Sequence, residues 1–138
     1  MDWLALLPHR PPMRLVEEIV AVEPGVSAVA RRPTRAGDWF FDGHFPGEPV
    51  VPAVVLVELV AQTGGLAIGS ATAGEAPALR VAALGGFKFP GAAVAGDVLE
   101  VTARVAGKMG GLYKVEGDVS VGGRVVGAGS VTLADTRR

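Results

Sequence analysis

The chain has 138 residues, enough for one domain with a real core and too few for two. Hydrophobic residues make up 49% and charged residues 20%, the balance of a folded protein rather than a disordered one. A formal net charge of -1 carries no footprint for nucleic acid, and the lack of cysteine excludes disulfides, thiolate metal sites and a cysteine nucleophile. In chain order, "MDWLALLPHRPP" reaches an acidic residue, proline and charge too early for a signal-peptide core, so the chain reads as cytoplasmic. Short runs of Val and Ile over 13–23 and 26–32, with Pro24-Gly25 between them, predict a hairpin. Loop signals then accumulate through "PTRAGDWFFDGHFPGEPVVP".

From Pro52 the pattern becomes helical, proline being tolerated in a first turn where its missing N–H would have had no intrahelical partner. The helix is expected from Ala53 to about Ala67, with no polar face. Residues 50–71 are apolar enough to mimic a membrane span, but Glu58 stands near the centre, with Gln62, Pro52 and three glycines about it. A mid-span acid costs roughly 2.5–3.5 kcal/mol even on a lenient insertion scale. A helix buried in protein is the better reading. Strands follow over 79–89, 97–107, 112–121 and 124–134, with Gly122-Gly123 as a two-residue hairpin turn, a bulge at Gly85-Gly86 and a turn at Gly110-Gly111. The whole reads as an α+β fold over 1–138, with about six mostly antiparallel strands and one long helix inserted after the second.

Two ionisable groups in apolar settings invite a chemical reading. His44 lies in a Gly-Pro loop beside Trp39, Phe40, Phe41 and Phe45, with Gly43 and Gly47 allowing a backbone shape that other residues resist. It is either a loop histidine making a structural hydrogen bond or a neutral base near pH 7. Glu58 is either a buried carboxylate satisfied by a partner or an acid whose pKa burial raises. A neutral-range base and a raised-pKa acid suit α-proton abstraction with loss of a β-hydroxyl, although spacing alone does not bring the two together. Gln62, four residues after Glu58, shares its stripe of the helix and either packs or orients. Histidines at 9 and 44 make no metal motif, and no metal or other cofactor is expected.

Three segments carry a resemblance: "LLPHRPPMRLVEEI" (6–19), "GHFPGEPVVPAVVLVELVAQTGG" (43–65) and "FKFPGAAVAGDVLEV" (87–101). In order over nearly the whole chain, they resemble the β-hydroxyacyl-acyl-carrier-protein dehydratases of bacterial fatty-acid synthesis. The middle segment is the specific one, with histidine in GHFPG and a carboxylate fourteen positions on. The resemblance implies the hot-dog fold, a curved antiparallel sheet wrapped round a long helix. It implies a homodimer, in some members a trimer of dimers, with His44 of one copy facing Glu58 of the other. His44 would remove the α-proton and Glu58 would assist departure of the hydroxyl as water, leaving a trans-2-enoyl thioester.

The same resemblance makes the Ala53 N–H an oxyanion donor to the thioester carbonyl, with Phe45, Gln62 and Gly65 at the substrate site. The substrate would arrive on an acyl carrier protein, which is acidic. Arg10, Arg14, Arg31, Arg32, Arg80 and Lys88 are the candidates to meet it. His9 recurs in the family outside the acid-base pair, and is read as structural. The chain departs from the family at Ala53, where glycine is usual, in "VAGD" at 94–97 and in the wording after "LPHR". Two other readings stay open: a hot-dog acyl thioesterase using the helix carboxylate, which leaves His44 unexplained, and a non-catalytic subunit that binds acyl thioester or carrier, for which Ala53 speaks.

Overall fold

A computed structural model describes residues 2–44, 47–72 and 78–136. Strands β1 (Glu18–Glu23) and β2 (Ser27–Pro33) form the expected hairpin, with Gly25 at φ 77° in its turn. The long helix α1 (Ala53–Gly69) follows, then β3 (Leu79–Lys88), β4 (Val98–Met109), β5 (Leu112–Val121) and β6 (Arg124–Asp135). Short 3-10 turns at Trp3–Leu6 and Trp39–Phe41 were not foreseen in the residue pattern. The six strands make one antiparallel sheet in the order β1-β2-β4-β5-β6-β3. Its inner face packs on α1 through β2, β4, β5 and β6, which is the hot-dog arrangement.

Alternation with period two explains which face is inward. Leu99, Val101 and Ala103 of β4 and Val115 and Val119 of β5 are fully buried against α1, while their neighbours in the chain face out. The glycine turns behave as read: Gly122 and Gly123 both have positive φ between β5 and β6, and Gly110 does so between β4 and β5. The sheet register shifts between Gly85 and Lys88, so the bulge lies where the glycine pair suggested.

Helix and sheet approach closely through a reciprocal device. A Cβ on Gly64 would lie 2.7 Å from Val115 Cγ1, and one on Gly117 would lie 2.7 Å from Val60 Cγ1. Each element therefore offers a missing side chain where the other offers a valine. α1 runs two residues past the expected end, and its Ala67 carbonyl accepts the Gly25 N–H at 2.8 Å.

One element differs from expectation. The first strand, read as starting at residue 13, begins at Glu18. Residues 13–16 leave the sheet because Gln62 bonds the backbone of Met13, Leu15 and Val16, while Glu17 still donates its N–H to the Arg31 carbonyl of β2 at 3.3 Å. Gln62 Oε1 accepts the Leu15 N–H at 2.9 Å, and its Nε2 donates to the Met13 carbonyl at 2.7 Å. The side chain is 1% exposed, so these backbone groups find in one amide the partners a neighbouring strand would have supplied.

Candidate active site

His44 is presented by a loop that the end of β2 clamps. Arg32 points inward on the same face as Ala28 and Ala30, and is 6% exposed. A desolvated guanidinium needs partners. Its Nη2 pairs with Asp38 Oδ1 at 2.9 Å, its Nε lies 3.0 Å from Glu17 Oε2, and its charge sits 5.1 Å from the centre of the Phe40 ring. Arg35 grips Glu17 with both terminal nitrogens, and its backbone N–H donates to Asp38 Oδ2 at 2.8 Å. Arg32 is thus a structural clamp rather than the expected candidate to meet a carrier protein. From Asp38 the 3-10 turn buries Phe40 and Phe41, and the Phe41 carbonyl accepts the His44 N–H at 3.0 Å.

The imidazole itself is half-buried, with Nδ1 3.0 Å from the Val50 carbonyl. A carbonyl can only accept, so Nδ1 carries hydrogen and Nε2 is the basic nitrogen of the neutral ring. Gly43 and Gly47, at φ 77° and 81°, hold the left-handed backbone of this loop. Phe45 lies outside the described residues.

The chain then enters α1 at Pro52. Val51 donates its N–H to the Ala93 carbonyl at 2.8 Å, and Val50 bridges to Val94, fixing where the helix starts. Ala53 is exposed and opens the helix, where N–H groups lack intrahelical acceptors. The turn at 94–97, altered from the family wording, is intact: Asp97 Oδ2 accepts the Val94 N–H at 2.8 Å, and Gly96 sits at φ 98°.

Glu58 is half-buried on the wall of a cavity of about 300 Å³. Leu7, His9, Gln62, Gly65 and Leu133 share the lining, and a Cβ on Gly65 would come 3.9 Å from Leu7. Burial pushes the Glu58 carboxyl above its ordinary range, while the charge of His9 and a hydrogen bond from Gln62 pull the other way. Gln62 Nε2 is 3.4 Å from Glu58 Oε2. Gln62 and Gly65 therefore stand beside Glu58. His44 lines no part of this cavity, so one chain does not bring His44 and Glu58 together there.

His9 is the residue that sequence reasoning set aside, and it shares the cavity with Glu58. No local spacing signals this, since the two are 49 positions apart. Among the described residues no group of His, Asp or Glu converges to hold a metal ion, and no helix is long and apolar enough to cross a membrane.

The family model described as FabA-like domain matches residues 7–130. The chain belongs to the FabA-like family. A 3-hydroxyacyl-[acyl-carrier-protein] dehydratase FabZ from Ruminiclostridium cellulolyticum is 35% identical over 96% of this chain and 93% of its own. The same enzyme from Moorella thermoacetica is 36% identical over 97% and 96%. Among solved structures, the dehydratase heterocomplex ApeI:P from Xenorhabdus doucetiae superposes with a TM-score of 0.80 at 16% identity, covering 100% of this chain and 93% of that one. That likeness speaks for the hot-dog fold alone. In this FabA-like chain the basic candidates fall apart as a set. Arg10 Nη1 caps carbonyls of its own loop, Arg31 pairs with Glu100, and Arg80 lines the Glu58 cavity.

Proposed function

We propose that the chain dehydrates 3-hydroxyacyl thioesters to trans-2-enoyl thioesters, as a lyase of fatty-acid synthesis taking its substrate from acyl carrier protein in the cytoplasm. The observation that carries the reading is Glu58: a carboxyl with its pKa raised, on the wall of a largely apolar cavity able to take an acyl chain. His44 complements it, since Nδ1 carries the hydrogen toward the Val50 carbonyl and Nε2 is then the basic nitrogen.

In this reading His44 and Glu58 meet across a homodimer. Two features support it. The N-terminal face of α1 leaves Val54 73% exposed, and the edge strand β3 exposes Val81 and Leu84. An uncovered apolar helix face beside an unpaired strand edge is the surface a second copy covers. His44 Nε2 of one copy takes the proton from the carbon next to the thioester. The electron pair moves toward the thioester oxygen, which the Ala53 N–H stabilises at the helix N-terminus. The C–O bond at the 3-position then breaks, and Glu58 of the other copy supplies the proton that lets the hydroxyl leave as water. Gly65 flanks the acyl chain, and Gln62 orients Glu58.

The reverse reaction gives the test. Hydration of a crotonyl thioester is followed by loss of enoyl absorbance with wild type, His44→Ala and Glu58→Gln. Each substitution lowers the rate by about 10²–10⁴-fold in proteins that keep their oligomeric state. A wild type that hydrates no enoyl chain but hydrolyses acyl thioesters makes the chain a thioesterase, and one that only binds them makes it a carrier subunit.

A further inference from the structure

The wall of the Glu58 cavity that faces α1 comes from the N-terminal segment, which contributes Leu6, Leu7, Pro8 and His9. His9 is half-buried, and its Nδ1 is enclosed with no hydrogen-bond partner. A buried polar atom without a partner calls for an explanation, and a structural anchor through that nitrogen is missing. His9 does line the same cavity as Glu58. The segment is held there by Gln62, which binds the Met13 carbonyl and the Leu15 N–H while its Nε2 also reaches Glu58 Oε2. One amide thus sets both the position of the carboxyl and the position of the backbone that delivers the imidazole.

We propose that His9 is a positioning residue for Glu58, the imidazole, the Gln62 amide and the carboxyl acting as one unit on the cavity wall. The inference rests on the dehydratase reading, in which Glu58 is the acid. The ionisable or charged groups that face Glu58 are His9 from the N-terminal segment, Arg80 from β3 and, in the proposed dimer, His44 of the second copy. Burial alone would make Glu58 a reluctant donor. The charge of His9 across the cavity opposes burial and keeps the proton transferable.

The test compares wild type with His9→Gln, which keeps a polar amide but carries no charge. The Glu58 carboxyl is followed by carbon-13 NMR, its resonance assigned by its loss in Glu58→Gln. Its midpoint rises by about half a pH unit in His9→Gln. The alkaline limb of kcat/KM for dehydration, which reports Glu58 losing its proton, moves up with it, while KM changes little. Should His9→Gln fold poorly, His9→Asn is read by the same two measurements. A midpoint and a limb that stay put, whatever happens to the melting temperature, overturn the proposal. An inert wild type whose Glu58 midpoint still depends on His9 overturns the dehydratase reading and leaves the pair standing.

Discussion

At Glu58, reactivity and stability pull against each other. Burial raises its pKa above the unfolded value, so between the two values the folded state binds more protons than the unfolded one. Stability therefore falls as pH rises through that window, and above it the whole cost of holding a carboxylate there is present. Glu58→Gln removes this dependence. The variant melts higher than wild type at about pH 7.5, and the difference closes as pH falls below the ordinary glutamate value of about 4.3. Thermal melts across that range check it, and an unchanged gap at both ends would mean the carboxyl is not desolvated. The same variant loses hydration activity, the usual exchange of function for stability at an active site.

At the scale of elements, the decisive contact is the exchange of valine for glycine between α1 and β5. Gly64→Ala gains about 1 kcal/mol in helix propensity. Against that, the new methyl meets all three outer carbons of Val115, its Cβ included at 3.2 Å, so a rotamer change gives no relief. Overpacking of this kind costs about 1–3 kcal/mol and outweighs the gain. Gly64→Ala is expected to lower the melting temperature, and Val115→Ala added to it to restore part of the loss. The elements themselves were legible because the periods of two and 3.6 and the glycine turns are local signals. Where the reading failed, the cause was distant in the chain. "MRLVEEIV" has strand composition throughout, but Gln62 takes the first part of it away from the sheet. That His9 shares a cavity with Glu58 was illegible for the same reason, since the two come together only after the hairpin and the His44 loop have been folded back. The GHFPG histidine and the helix carboxylate were legible as special residues, while the proposed meeting of the two across a dimer has no signal in the spacing of one chain.

For the whole molecule, the proposed dimer predicts what happens when the β3 edge is blocked. Lysine on an edge strand opposes strand addition, so Leu84→Lys, which lies outside the Glu58 cavity, should yield a folded monomer by ultracentrifugation. That monomer would lack hydration activity although His44 and Glu58 are both untouched. An active monomer would place the complete site within one chain and remove the dimer from the mechanism. One cross-link in the fold reaches further. Trp39, next to the clamp on the His44 loop, donates its indole N–H to the Pro12 carbonyl at 3.1 Å, and Pro12 adjoins the stretch that Gln62 holds over α1. Trp39 is 44% exposed and stands where the segment bearing His44 touches the segment bearing His9. With Trp3, the other tryptophan, replaced by Phe, its emission is therefore an optical gauge of whether those two stretches move together when an acyl group enters, with no label attached.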